Sequence, residues 1–363
     1  MEQGGAQAMI MNLYRRIDKN KIQFDFMVHS NGKGYFDDEI KKLGGKIFRI
    51  EKFYVFNTIS YYFKWKKFLL DHSEYQVIHG HIGSSAIVYL QVAKMLGRRT
   101  IVHSHSALPD KFDLHSRIIS LLNYPNRHIA TVVLAASERA GSDRYGKKVL
   151  KQENFHVFNN AIDTQNFMYS AIRRNEIRSK LGISEEALVI GNVGRLVEEK
   201  NQTRLINIFN ELVKLVPTAH LVVVGEGQLR PNLEHLIKHL GLNRNVHLVG
   251  SKKNVADYLS SMDMFVFPSV NEGLGISLIE AQCTGLFCIA SDSVPKEAKV
   301  SPIIVFQSLS DSDVEWVNTI LANQSQKYVV NRKSKMAYVK KAGYDIQQTV
   351  PLISRIYNDL YWR

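Results

Sequence analysis

The chain of 363 residues is long enough for two domains, each with its own core. Its 45% hydrophobic and 22% charged content is that of a globular protein, and no apolar run approaches the length of a bilayer-spanning helix. The formal charge of +13 leaves nucleic acid, an anionic membrane surface or an acidic substrate as partners, but the basic residues are interspersed and carry no recognition-helix or RNA-binding signature, which argues against nucleic acid.

Apolar strands alternate with helical patterns from end to end. The first half predicts strands at Phe24 to His29, Lys46 to Ile50, Val77 to His79, Thr100 to His103, Val132 to Ala136 and His156 to Phe158. The second half predicts them at Leu188 to Val193, His220 to Val224, Val246 to Val249, Met264 to Phe267, Phe287 to Ala290 and Ile303 to Phe306. This is α/β patterning with parallel sheets, read twice. The boundary is expected after Asp163, giving domains at 1–163 and 164–345, with a polar linker before a helix at Glu176 to Leu181. Cys283 and Cys288 read as small buried hydrophobes in a reducing compartment, not as a disulfide or metal site. No signal-peptide pattern opens the chain, so the expected location is cytoplasmic.

The segment Thr58 to His72 is aromatic and basic together. A helix here would turn Ile59, Phe63 and Leu70 to the core and leave Lys64, Lys66 and Lys67 outside. A solvated surface helix and a contact with an anionic bilayer are both open readings, the second adding peripheral attachment to the inner face of the plasma membrane.

Glu272 and Glu280 stand eight positions apart in PSVNEGLGISLIEA. The strand Met264 to Phe267 leads into a loop with Gly273, Leu274 and Gly275, and a helix from about Ile276 carries Glu280 one turn in. Amides at such a helix start bind anions. Two carboxylates would repel a phosphate but suit sugar hydroxyls, so the pattern fits a phosphate bearing a sugar on each side: a nucleotide sugar. Upstream, VIGNVGRLVEEKN predicts a buried strand, a turn at Gly194, and two cations, Arg195 and Lys200, for phosphate oxygens. The intervening VVVGEG adds Gly225 and Glu226 at another strand end. In open α/β sheets ligands bind outside the carboxyl ends of the strands, where all these residues fall. In the first half, TIVHSHS places His103 and His105 at a strand end, a metal pair for which the spacing supplies no convincing third or fourth ligand; His79 and His81 repeat the pattern one strand earlier.

These segments carry a family resemblance. PSVNEGLGISLIEA resembles the Glu-x7-Glu motif of the retaining GT-B glycosyltransferases of family 4. GNVGRLVEEKN, LVVVGEGQLRPNLE, VFNNAIDTQNF and GGAQAMIMNLYRRID resemble further segments of that family in the same order, over nearly the whole chain. Within it the chain looks most like bacterial transferases of capsular and exopolysaccharide assembly.

The resemblance implies a GT-B fold: two Rossmann-like domains facing across a cleft, the first for the acceptor, the second for the donor, with a last helix, Ile346 to Tyr361, returning to the first. It implies transfer of a hexose or N-acetylhexosamine from a nucleoside-diphosphate sugar, UDP being the expected nucleotide, to a lipid-linked or oligosaccharide acceptor with retention of configuration. Glu280 would hold the ribose, Glu272 and His105 (with His103 as the alternative histidine) the transferred sugar, and Arg195, Lys200 and the amides around Gly273 to Gly275 the diphosphate. Gly4 and Gly5 would approach the donor's phosphates and sugar. Protein cations would stand in for a metal, and no Asp-x-Asp cation site is expected.

Rival readings are a GT-B sugar-nucleotide epimerase, an NAD oxidoreductase, which lacks its third glycine in VVVGEGQLR, and an inactive remnant. The last has a specific motive. The family begins with an apolar strand before its glycine loop, whereas EQGGAQ follows Met1 at once. The expectation is a missing first strand at the centre of the first domain and a poorly stable chain.

Overall fold

The computed structural model describes residues 5–105, 121–324 and 335–362. The chain divides into two compact units, residues 1–162 with 343–363, and residues 163–342. Twelve strands occur among the described residues: β1 (Phe26–Val28), β2 (Ile47–Arg49), β3 (Val77–Gly80), β4 (Arg99–Ser104), β5 (Val132–Ala135), β6 (Phe155–Val157), β7 (Val189–Val193), β8 (His220–Val224), β9 (Val246–Gly250), β10 (Met264–Phe267), β11 (Phe287–Ser291) and β12 (Ile304–Gln307). Every pairing between them is parallel.

The second unit is one six-stranded sheet in the order β12-β11-β10-β7-β8-β9. Its strands are near-continuous apolar runs because helices cover both faces. Phe209, Leu212, Val266, Ile289 and Trp316 form part of its core. The chain runs outward from β7 to β9 and then returns to the far side of β7 as β10. The point where the order reverses, between β7 and β10, is where an open parallel sheet leaves a crevice at its carboxyl edge.

The first unit is built differently. β3-β4-β5-β6 form one sheet, and β1-β2 form a separate pair. Helices lie on both faces. Gly5–Arg16 and Ile346–Trp362 share one core through Leu13, Tyr14, Ile353 and Tyr357. Thr58–Asp71 and Gly83–Met95 share another through Tyr61, Trp65, Tyr89 and Leu90.

Two helices depart from expectation. The helix Thr58–Asp71 buries Tyr61, Trp65 and Leu69, while Ile59, Phe63 and Leu70 are 74%, 59% and 59% exposed. The wider aromatic stripe wins the core: Trp65 stacks on Tyr89 at 5.1 Å, and Tyr61 meets Trp65 edge-on at 6.4 Å. The expected core face is therefore the outer one. The helix expected at Glu176 begins earlier, as Ala171–Leu181, with the Ser170 hydroxyl accepting from the Arg173 amide. Its first turn looks like a polar linker in sequence. In the fold, Arg174 and Arg178 grip Asp263 at 2.8 and 2.7 Å, which accounts for their burial.

Candidate active site

The crevice between β7 and β10 is shaped by backbone contacts that only glycine permits. After β8, Gly225 has φ +148°, and a Cβ on it would lie 1.9 Å from the Gly194 carbonyl oxygen. A Cβ on Gly227 would lie 2.3 Å from that of Leu196. The Gly194 amide donates to Val224 O and the Leu196 amide to Glu226 O, at 3.0 and 2.9 Å. The GEG loop thus serves as a floor for the turn after β7.

That turn is tied to the loop after β10. Asn201, in the left-handed region at φ 54°, donates from Nδ2 to Pro268 O at 3.1 Å. The Val270 amide donates to Glu199 O at 2.9 Å, and buried Asn192 donates to Val266 O at 2.9 Å. These bonds bring Lys200 to Glu272: Nζ lies 2.5 Å from Oε1, with the carboxylate side chain only 6% exposed. Arg195 points to solvent, its carbonyl held by Gln202 Nε2 at 2.9 Å. Gly275, at φ +82°, opens the helix Ile276–Thr284, with buried Leu274 before it and exposed Gly273 at the loop tip. Glu280 lies on that helix, and burial pushes its carboxyl up to about 8. Glu226 is engaged otherwise, in an ion pair with Arg230 at 2.6 Å.

The first unit holds a second constellation. At the ends of neighbouring strands β3 and β4, four imidazoles stack: His79 on His81 at 4.1 Å, His103 by His105 at 4.2 Å, and His81 on His105 at 5.1 Å between centroids. His81 Nδ1 lies 2.9 Å from His105 Nε2, and His105 Nδ1 lies 3.2 Å from Asn160 Oδ1. His79 Nδ1 meets the Tyr357 hydroxyl at 2.6 Å. Burial holds His105 down to about 4 against the opposing pull of Asn160, and burial reinforced by the neighbouring rings holds His79 down to about 3 and His81 and His103 well below the usual range. All four are neutral near pH 7.

This corrects the expectation of an isolated His103/His105 pair. Ligand nitrogens of His79, His81 and His103 all lie within 4.8 Å of one another, a grouping of the size a metal ion needs. The sequence shows His-x-His at the ends of two strands, and the structure pairs those strands side by side. Gly4 lies outside the described residues; Gly5 begins the first helix, with open space where a Cβ would sit.

Comparison with known proteins decides what this scaffold is. The family described as Glycosyltransferase Family 4 matches residues 3–166, and Glycosyl transferases group 1 matches residues 173–301. The chain is a GT-B glycosyltransferase of family 4 type. This glycosyltransferase is 29% identical to the Bacillus subtilis protein EpsF, named as a glycosyltransferase, over 99% of this chain and 94% of that one. It is 26% identical to the Staphylococcus aureus capsular polysaccharide biosynthesis glycosyltransferase CapH, over 98% and 96%. It is 25% identical to the Escherichia coli UDP-Gal:alpha-D-GlcNAc-diphosphoundecaprenol alpha-1,3-galactosyltransferase, over 80% and 77%. Among solved structures, Anabaena HepE in complex with UDP-glucose superposes with a TM-score of 0.77 at 16% identity, over 99% and 97% of the two chains.

Within the glycosyltransferase, sequence reasoning did not single out the residues that brace the candidate site. Asn160 orients His105 from both sides, its Nδ2 donating to His105 O at 3.1 Å. Asn192 and Asn201 fasten β7 to β10. Asparagines in strand ends and turns have many roles, so their type alone does not announce this one.

Proposed function

We propose that this glycosyltransferase moves a hexose or N-acetylhexosamine from a UDP-sugar to a lipid-linked acceptor during bacterial polysaccharide assembly, with retention of configuration. The observation that carries the donor assignment is the Lys200–Glu272 ion pair at the reversal point of the second sheet, with Glu280 on the helix that follows. The donor names of relatives add support: the Escherichia coli enzyme's name specifies UDP-Gal and a diphosphoundecaprenol acceptor, and HepE was solved with UDP-glucose. CapH lends the polysaccharide setting.

In this reading Arg195, Lys200 and the amides of Gly273 to Gly275 hold the diphosphate, and Glu280 accepts from the ribose hydroxyls. Glu272 and His105 contact the transferred sugar. The bond between the anomeric carbon and the phosphate oxygen breaks first, leaving an oxocarbenium-like sugar and a full charge on the departing diphosphate. The protein cations and helix-start amides stabilise that charge without a metal. The acceptor hydroxyl attacks the face the phosphate leaves, and its proton passes to the departing phosphate oxygen. The first unit takes the acceptor.

Peripheral attachment to an anionic bilayer has a structural motive. Ile59 and Phe63 on one side of the helix Thr58–Asp71 are 74% and 59% exposed, and Phe56 in the turn just ahead of it is 87% exposed, with Lys66 and Lys67 on the helix beside Ile59 and Phe63.

The decisive experiment incubates the protein with UDP-glucose, UDP-galactose, UDP-N-acetylglucosamine, UDP-N-acetylgalactosamine, GDP-mannose and ADP-glucose, and follows release of nucleoside diphosphate. Slow hydrolysis confined to one or two UDP-sugars supports the reading. Hydrolysis of none, with no uridine diphosphate binding by calorimetry, overturns it.

A further inference from the structure

The pairing of β3 with β4 sets His79 opposite Ile101 and Gly80 opposite Val102. One residue further, the same register brings His81 opposite His103. Side chains two apart on a strand share a face, and so do residues opposite each other on paired strands. His79, His81, His103 and His105 therefore rise from one face of the sheet at the carboxyl end of β3 and β4. The ring centroid of His103 lies 5.4 Å from those of both His79 and His81.

The hydrogen bonds around these rings decide which nitrogens are left over. Asn160 donates from Nδ2 to His105 O at 3.1 Å, so its Oδ1 is the atom facing His105 Nδ1, at 3.2 Å. That oxygen can only accept, which puts the His105 proton on Nδ1 and leaves its Nε2 with a lone pair. His81 Nδ1, 2.9 Å away, is then the donor, and in the neutral ring its Nε2 carries no proton. His79 engages the Tyr357 hydroxyl through Nδ1 at 2.6 Å, while its Nε2 is buried with no hydrogen-bond partner. Both nitrogens of His103, a residue 1% exposed, are also buried and unpartnered. The Phe158 backbone draws a proton toward that ring but makes no hydrogen bond of full geometry with it. Buried polar groups are almost always paired, so unpaired nitrogens gathered in one place call for a partner that accepts lone pairs.

One ligand nitrogen from each of His79, His81 and His103 lies within 4.8 Å of the other two. Three atoms so spaced have a common point within about 2.8 Å of each, against about 2.0 to 2.1 Å for a zinc–imidazole bond, so each ring closes by less than about 1 Å. No carboxylate or thiol joins the grouping among the described residues. An all-imidazole set suits zinc, copper, nickel or iron, and not calcium or magnesium, which take oxygen. A metal-bound imidazole normally gives its other nitrogen to a hydrogen-bond partner. Tyr357 stands in that position for His79, and the His105–Asn160 pair for His81.

We propose that His79, His81 and His103 hold a divalent transition-metal ion of the zinc class, one nitrogen from each ring, with water at a fourth position. The ion fastens β3 to β4 and stabilises the first unit. His105 is not a ligand: its tautomer is set by Asn160, and it reaches the ion only through His81. The diphosphate chemistry assigned to Arg195 and Lys200 of the second unit draws nothing from this ion.

The test uses the full chain, free of any added histidine tag, stripped of metal with a chelator and titrated with zinc chloride by calorimetry. One zinc per chain is expected, with a dissociation constant below about 1 μM. Zinc should raise the melting temperature in a concentration-dependent way, as a ligand of the native state does. Cobalt(II) in its place should show the strong visible absorption of a four-coordinate ion. His103→Leu and His81→Phe should each weaken zinc binding at least about a hundredfold, and Asn160→Ala, which removes only the outer support, about tenfold. His220→Ala breaks another close histidine pair, 3.1 Å from His220 Nδ1 to His247 Nε2, and should leave the affinity unchanged. Should a histidine variant fail to fold, the stoichiometry and cobalt spectrum of the unaltered chain, with the His220 control, decide. Binding weaker than about 100 μM, equal binding by His103→Leu, or loss of binding in His220→Ala overturns the proposal. None of these readouts depends on donor turnover, so failure here is distinguishable from failure of the proposed function.

Discussion

Lys200 Nζ lies 2.5 Å from Glu272 Oε1 across the reversal point of the second sheet. The pair joins the turn after β7 to the loop after β10, and each side chain compensates the other in a largely enclosed place. Removing one partner alone strands a charge, whereas removing both does not. Lys200→Met should weaken uridine diphosphate binding by on the order of 1.5 to 3 kcal/mol, or roughly tenfold or more, whereas Glu272→Gln should weaken binding of the intact UDP-sugar. In thermal unfolding, Lys200→Met should lower stability more than the double substitution does. Additive losses in the double-mutant cycle would show that the two side chains do not act as a pair.

Glu280 offers a pH signature. Its folded carboxyl is pushed up to about 8 by burial, above the usual value of 4.5. The native state therefore holds a proton that the unfolded chain has released across that interval. Stability from this group is full below about 4.5 and is lost as pH rises through about 8. Glu280→Gln should flatten this part of the stability curve. An ionised carboxylate accepts from ribose hydroxyls better than a neutral one. Uridine diphosphate binding should then tighten between pH 6.5 and 9 and release a proton, read as a calorimetric heat that changes with the buffer's ionisation enthalpy. The Gln variant should show no such release.

Much of the fold was legible because the strands are short apolar runs closed by glycine, and the residues of the candidate site follow them directly: Gly194 after β7, Gly225 after β8, Gly273 and Gly275 after β10. Local chemistry there coincides with tertiary position. It fails where packing chooses between two usable faces. On the helix Thr58–Asp71 both stripes are apolar, and only the partner surface, with Tyr89 waiting to stack on Trp65, selects the inner one. It fails also at the four histidines, because nothing in VIHGHIG or TIVHSHS states that β3 and β4 are neighbours.

Those histidines predict an acid limit. Their folded values are depressed, to about 3 for His79 and about 4 for His105, against 6.5 for a free imidazole. The unfolded chain takes up protons that the native state refuses. Stability is therefore full above about 6.5 and falls as pH drops toward 4. Urea unfolding at pH 7.5 and pH 5 should show a large loss at the lower value. His103→Leu, which removes one of the most enclosed rings, should shrink that difference, whereas substitution of exposed His235 should leave it intact. An unchanged difference in His103→Leu would place the acid sensitivity elsewhere.

Metal independence is a separate expectation for the donor chemistry, because Arg195, Lys200 and the helix-start amides supply the positive field. Saturating EDTA should change donor hydrolysis by less than about twofold. Loss of activity with recovery on adding magnesium or manganese would assign the diphosphate charge to a cation instead.

The outer stripe of the helix Thr58–Asp71 separates a membrane role from a structural one. Phe56, Ile59 and Phe63 are exposed, so replacing all three with serine removes little buried surface, and the melting temperature should stay within about 2 °C. Trp65 is 6% exposed and stacked on Tyr89, so Trp65→Ala should cost about 3 to 5 kcal/mol. Cosedimentation with vesicles of anionic phospholipid should then show the triple variant released while remaining folded. Raising salt should weaken binding of the unaltered chain, since Lys66 and Lys67 lie beside the apolar residues. Charge and apolar contact each contribute in this arrangement, so neutral vesicles should bind the unaltered chain weakly and the triple variant not at all. Equal sedimentation of the triple variant and the unaltered chain on anionic vesicles would remove this face from any membrane contact.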